Sequence, residues 1–365
     1  MDVDKSNVRT YREHAPRVRG QLLRQFILSA VEKNPSSVAA LAARTFGVSR
    51  QAVNRQLDHL VTGGALDVAG TTKGRTYTLR TFISEDLTLQ VSPELHEDEV
   101  WTEHFAPHVK DLATNIQRIC YYGFTEILNN VIDHSASPRV VLSLERNAVR
   151  LKVNIHDFGV GIFNKIQQAC QLETPRIAVF ELTKGKFTTD PTRHTGEGIF
   201  FTSRMFDSFS ILSGQLFLSH ERGGDDWLLE RRPPLPETAL PQGTAVFLGI
   251  DPQSSHTVEE VLTHYATEQD DYAFNRTTIA IHLAVSESEE LVSRSQAKRI
   301  SARLDKFKEV VLDFRGITSI GPAFADELFR VFHTQHPHVT LIPINANEHV
   351  TRMIRRASTE SSEAS

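Results

Sequence analysis

Between Val18 and Val31 the apolar residues Leu22, Leu23, Phe26, Ile27 and Ala30 recur every three or four positions, the spacing of one buried helical face, and Lys33-Asn34-Pro35 ends the run. Ser37 is placed to cap a short second helix with Val38, Leu41 and Ala42 inward, and Gly47-Val48 turns the chain into Ser49. A third helix follows, burying Ala52, Val53, Leu57 and Leu60 and offering Arg50, Gln51, Asn54 and Arg55 on its other side. The stretch ALDVAGTTKGRTYTL then reads as strand, turn and strand, with Lys73 and Arg75 in the turn.

A second pattern begins at Pro107. A long helical period runs to Ser135, with Ile116, Ile119, Cys120, Gly123, Ile127, Val131 and Ile132 on one broad side. Its polar residues Glu126, Asn130 and His134 recur every four positions and so share a face. The segment VRLKVNIHDFGVGI alternates as a strand up to Asp157 and opens into Phe158-Gly159-Val160-Gly161. Further on, His194-Thr195-Gly196-Glu197-Gly198 is a glycine turn running into a helix, and Gln242-Gly243-Thr244 opens a last strand, TAVFLGI. From Thr277 the chain reads β-α-β-α-β-α: strands at 277–284, 310–314 and 339–344, and helices opened by the capping box Ser293-Arg-Ser-Gln296, by Pro322 and near Asn347.

Composition changes this picture in two places. At 365 residues, 40% hydrophobic and 23% charged, the chain suits two or three folded domains. The net charge of −5 divides unevenly: residues 1–82 hold thirteen Lys or Arg against six acids, a formal +7, which leaves −12 to the rest. A basic head on an acidic body is the footprint of a module that meets phosphate, and a solvated basic face has the same footprint. No apolar run reaches the roughly 18 residues of a membrane span, and the N-terminus lacks a secretory apolar core, so the expectation is a cytoplasmic protein without membrane contact. Two cysteines, Cys120 and Cys170, are too few for a disulfide framework or a thiolate metal cluster. No internal repeat is visible. The expected organisation is 1–82, an acidic linker at 83–104, a middle domain at 105–252, a linker at 253–272, a third domain at 273–357 and a polar tail at 358–365.

Arg, Gln and Asn side chains on the first half of a helix that follows a glycine turn can make bidentate bonds to base edges in the major groove. The block resembles a winged helix-turn-helix of the bacterial regulator type, which implies binding of double-stranded DNA through Arg50, Gln51, Asn54, Arg55, Lys73 and Arg75. The same fold also serves as a protein interaction or dimerisation module. In the middle domain, a carboxylate one turn from a carboxamide suits a metal-bound phosphate. Glycines admit a flat ligand, and a helix N-terminus preceded by glycines attracts phosphate.

Those four elements, in that order, resemble the ATP-binding GHKL or Bergerat-fold family shared by gyrase, heat-shock, histidine-kinase and mismatch-repair proteins. The resemblance implies an α/β sandwich with ATP and Mg2+ as cofactors. Asn130 would hold the magnesium, Asp157 the adenine amino group, Gly159 and Gly161 the adenine pocket, Gly196 and Gly198 the phosphate lid, and Thr244 the adenine through water. Glu126 stands where ATPases and serine kinases of the family carry their base. A phosphoacceptor histidine helix is not evident around His96, His104 or His108, which argues against a histidine autokinase. Cations of the lid, Lys186 and Arg193, could neutralise transferring phosphate.

LDFRGITSIG between strand and helix makes the third domain similar to STAS-like domains such as the anti-sigma-factor antagonists, and more narrowly to the uncharacterised STAS-like family fused to GHKL domains. Ala323 occupies the position of the serine those antagonists phosphorylate, so that modification is excluded at the family site, and only Thr318 and Ser319 lie a turn away. A protein partner is the role left for this domain. The expected fold class is therefore multidomain α/β, as a homodimer. Function is expected to be a nucleotide-dependent DNA-binding switch, with an anti-sigma-type serine/threonine kinase or ATPase as the alternative, and a scaffold with a vestigial site as a third reading.

Overall fold

The Ser49 hydroxyl accepts the Ala52 amide at 3.2 Å, which satisfies one of the N–H groups left unpaired where a helix begins. Helix α3, Arg50–Thr62, follows from it. Before it come α1, Pro16–Ala30, and α2, Val38–Phe46, which stops at Gly47 with φ 62°. Ser37 does not cap α2 with its side chain, because its backbone lies in the helical region and not in the extended one that aims a capping hydroxyl. Strands β1, Leu66–Ala69, and β2, Thr76–Leu79, pair antiparallel from Leu66 opposite Leu79 to Ala69 opposite Thr76. This is a computed structural model, and it describes residues 16–71, 74–188, 195–224, 226–231, 242–267, 273–285 and 289–359.

The chain divides into two compact units. The first takes in the N-terminal helices and hairpin with Ser143–Lys152 and Asp251–Gln253; the second takes in Leu87–Leu142, Val153–Ile250 and the chain from Ser254 onward. In the first, Ile27, Val31, Val38, Ala42, Val53, Leu57 and Leu66 form the core, and Ala148 and Val149 pack against it. Leu41, expected inside, is only half-buried.

A seven-stranded sheet runs in the order β3-β4-β5-β9-β6-β7-β8. Its strands are β3 Ile83–Gln90, β4 Arg139–Arg146, β5 Leu151–Asp157, β6 Ser208–Ser213, β7 Leu216–Glu221, β8 Trp227–Glu230 and β9 Thr244–Ile250. Residues 83–104, expected as a linker, supply β3 and then α4, Glu97–Val100, which continues through a π turn, Trp101–Phe105, into α5, Ala106–Val109. Charged residues are tolerated on β3 because it is the sheet's edge, while Val100, Trp101 and Phe105 are buried. The helical pattern read from Pro107 is interrupted at 110–113, where Gln117 Nε2 donates to Leu112 O at 2.7 Å. Helix α6, Thr114–His134, then buries Ile116, Ile119, Phe124, Ile127 and Leu128. Gly123 lets it lie close to Phe206, since a β-carbon there would sit 2.3 Å from the ring.

Helices α7, Ile162–Ala169, α8, Pro175–Thr183, and α9, Gly198–Met205, complete the middle of the chain. The stretch expected as a second linker, 253–272, contains α10, Val258–His264, opened by a reciprocal capping box between Thr257 and Glu260. The C-terminal part is mixed α/β, with three parallel strands in sequential order: β10 Arg276–Ala280, β11 Glu309–Asp313 and β12 Thr340–Ile344. Helix α11, Arg294–Ser301, carries the capping box read at Ser293 and Gln296. Helix α12, Pro322–Ala325, passes through a π turn, Asp326–Val331, into α13, Phe332–Gln335, and α14, Glu348–Thr359, closes the module. Among the described residues no helix is long and apolar enough to cross a membrane.

Candidate functional site

Strand β5 ends at Asp157, whose side chain is buried because β9 and the turn at Gly159 close over it. A β-carbon on Gly243 would sit 2.1 Å from Asp157 O, and one on Gly159 would sit 1.8 Å from Ser135 O, so both approaches need glycine. Asp157 Oδ1 accepts the Gly159 amide at 2.8 Å, and Thr244 donates to the same carboxylate while its own Oγ1 accepts the Ile162 amide at 2.9 Å. Burial pushes the Asp157 carboxyl above its ordinary pKa, against these hydrogen bonds, which favour the anion.

On α6 the spacing read from sequence holds. Glu126, Asn130 and His134 line one cavity of about 370 Å³, together with Asp157, Gly161, Gly196, Gly198 and Thr244. Asn130 Nδ2 donates to Glu126 O at 2.6 Å, so Oδ1 is the atom that Asn130 can offer to a cation. Glu126 lies at the N-terminus of α9, where a β-carbon on Gly198 would fall 1.9 Å from Glu126 Oε2. Gly196, at φ 74°, accepts the Phe187 amide at 3.0 Å.

Gly159 stands behind this wall, between Asp157 and Ser135, and is not itself part of the lining. Lys186 does not line the cavity either: its Nζ donates to Lys306 O at 2.9 Å and lies 4.9 Å from the centre of the Phe307 ring. Burial lowers the Lys186 pKa, with Glu197 opposing and Lys306 reinforcing that shift. Arg193 and Lys73 lie outside the described residues. Arg50, Gln51, Asn54 and Arg55 are all exposed on α3, and Arg75 is exposed with its guanidinium 3.9 Å from Asp58. Those residues belong to the first unit and the cavity to the second.

Sequence reasoning passed over Lys165 and Glu197, which both line the cavity. Lys165 sits one helical turn after Gly161, and its Nζ donates to His134 O at 2.8 Å; that spacing from a glycine turn was the available signal. Burial raises the Glu197 carboxyl, while Lys186 and a hydrogen bond from Thr195 lower it. Among the described residues no group of three His, Cys, Asp or Glu side chains could hold a metal by itself. The arrangement can therefore offer a buried acceptor at one end, and at the other a carboxylate, a carboxamide and a glycine-led helix N-terminus.

A second polar cluster lies behind α9. Arg204 makes paired bonds to Asp226 at 3.1 and 3.0 Å, His220 Nδ1 faces the same carboxylate, and His282 bonds to Asp226 O at 2.8 Å. Burial works against the charge of Asp226, yet Arg204 and His220 hold it well below the usual carboxylate range.

Residues 296–351 match the family described as the STAS-like domain of unknown function (DUF4325). That segment runs from α11 into α14 and contains Arg299, Arg303 and Ala323. No curated protein matches the chain.

Proposed function

We propose that the chain is an ATP-binding, DNA-binding regulatory switch, in which the nucleotide state of a GHKL domain governs a winged helix and a STAS-like partner module. The observation that carries this reading is the convergence on one cavity of buried Asp157 with Glu126, Asn130 and the N-terminus of α9. A volume of about 370 Å³ is in the range of small-ligand sites. Asp157, held by Gly159 and Thr244, is the acceptor for an adenine amino group. The α9 N-terminus and Lys165 offer positive charge to phosphate.

Glu126 and Glu197 repel a bare triphosphate, so the anion is expected with magnesium. Asn130 Oδ1 would be its protein ligand, and the ion would neutralise the phosphates. Magnesium commonly takes few protein ligands beside phosphate oxygens and water, which suits a site whose described residues form no three-residue metal cluster. The exposed Arg50, Gln51, Asn54 and Arg55 on a capped helix support duplex DNA as the partner of the first unit. The match at 296–351 supports a protein partner for the last module.

One observation favours a second reading. Glu126 is fixed against Gly198, where a base would act on water or a hydroxyl, which suits an ATP hydrolase or a serine/threonine kinase acting on another protein. Titration of the full chain with Mg-ATP, with and without duplex DNA, tests the first reading, and Asn130→Asp should abolish nucleotide binding. Equal DNA affinity with ATP, ADP and no nucleotide would sink the switch. Labelled ATP separates the second reading, through release of phosphate or labelling of protein.

A further inference from the structure

Helix α8, whose Leu182 lines the cavity, ends at Thr183, and the chain that follows adds Phe187 and Thr188 to the cavity wall. The root of this loop is gripped by the STAS-like module. Arg303, at φ 64° just after α11, donates from Nε to Glu181 Oε2 at 2.8 Å, from Nη2 to Glu181 O at 2.7 Å and from Nη1 to Lys186 O at 3.1 Å. Lys184 Nζ gives its three protons to Glu181 Oε1 at 2.6 Å, Arg299 O at 3.2 Å and Ala302 O at 3.0 Å. Thr277 Oγ1 donates to Lys184 O at 2.8 Å. Between them, Gly185 at φ 79° leaves no room for a side chain, since its β-carbon would lie 2.5 Å from the Phe274 ring.

The Lys184 side chain is 1% exposed and that of Glu181 7%, so these are desolvated ion pairs whose geometry must be kept once they form. The main chain then passes from Lys186 to Phe187, whose amide holds Gly196 two residues before the N-terminus of α9. A guanidinium that bonds two carbonyls and a carboxylate at once fixes backbone direction in a way that a point charge cannot.

We propose that Arg303 is a positioning residue for the cavity: supplied by the STAS-like module, it holds the loop Lys184–Thr188 in the form that closes Phe187, Thr188 and the α9 N-terminus on the nucleotide. The inference rests on the nucleotide reading above and adds to it a direction of control. Docking of the C-terminal module sets nucleotide affinity, and by linkage nucleotide tightens that docking. A partner that pulls on α11 would empty the site.

The test uses the full chain. Mg-ATP affinity is measured for the wild type, Arg303→Ala and Arg303→Lys, with amide hydrogen exchange followed at Phe187 and at Val310–Leu312 of β11. Arg303→Ala is expected to weaken Mg-ATP about tenfold or more, within the usual span of coupling between sites, and to speed exchange at Phe187 while β11 stays protected. Arg303→Lys keeps the charge without the fork and should bind as poorly as the alanine variant. Should Arg303→Ala unfold the module, Thr277→Val is read in its place, with weaker binding expected in the same direction. Unchanged affinity in the folded variants, or full rescue by lysine, overturns the proposal. A wild-type chain that does not bind Mg-ATP overturns the nucleotide reading itself, and the inference with it.

Discussion

The carboxylate of Glu126 lies against the α-carbon of Gly198, so close that a β-carbon there would stand 1.9 Å from Oε2. Gly198 is also the first residue of α9, so one position governs both the helix N-terminus and the seat of the carboxylate. Gly198→Ala is expected to push Glu126 aside, lower Mg-ATP affinity and abolish any turnover. Glu126→Gln, which keeps the shape, should leave binding within about threefold and remove turnover, since general-base loss costs about 10²–10⁴ in rate. Calorimetric titration and phosphate release read the two effects, and unchanged turnover in Glu126→Gln would take Glu126 out of the chemistry.

Lys184 predicts a dependence of stability on pH. Desolvation brings its pKa down to about 8, with Glu181 opposing that shift and Arg299 and Arg303 reinforcing it. The folded-state pKa lies below the unfolded one, so between about pH 8 and pH 10.4 the unfolded chain binds more protons and stability rises with pH. From pH 7.5 to 9.5 the wild type should gain about 2 kcal/mol relative to Lys184→Met, measured by urea unfolding. Parallel pH profiles for the two proteins would refute the assignment.

Asp226 is the counterion of buried Arg204, and its side chain is 12% exposed. Asp226→Asn leaves that guanidinium without compensation and is expected to cost about 3–5 kcal/mol. Because the folded pKa of Asp226 is depressed, its contribution is present above the ordinary carboxylate range and is lost as pH falls through and below that range. Thermal unfolding at pH 7 checks the first statement. An acid denaturation midpoint that does not change in the variant would contradict the second.

The exposed face of α3 carries the DNA expectation. Arg50→Ala with Arg55→Ala should weaken binding to duplex of mixed sequence, and reduce the slope of log affinity against log salt by about 0.9 for each phosphate that is no longer neutralised. Nucleotide binding in the second unit should be untouched in this variant. A salt slope equal to wild type would show that this face does not meet phosphate.

Much of this was legible from local pattern. The period of α3, the alternation that ends at Asp157 and the capping box at Ser293 are short-range features, and each is found where spacing put it. The strand at 83–90 was obscured because Ile83, Leu87 and Leu89 alternate correctly, but Glu85 and Asp86 lower its apolar content as an edge strand allows. Ser37 failed as a side-chain cap because capping depends on ψ as well as residue type. The carbonyl acceptors of Lys184 and Lys186 lie 115 to 120 positions away, beyond the reach of any periodicity, and a lysine in a loop rich in glycine and threonine reads as solvated until those acceptors are known.

The clamp on Lys184 also orders events in time. Arg299 follows Lys184 by 115 residues, so a ribosome adding about 5–20 residues per second makes the loop root about 6–23 s before its acceptor exists. During that interval Lys184 is without the carbonyls of Arg299 and Ala302 and Glu181 is without the guanidinium of Arg303, so the loop root is held only when the last strands and helices emerge. Nascent chains stalled before residue 303 should therefore carry an assembled sheet and an unclamped loop root, and the final stretch of synthesis determines when that root takes its folded form.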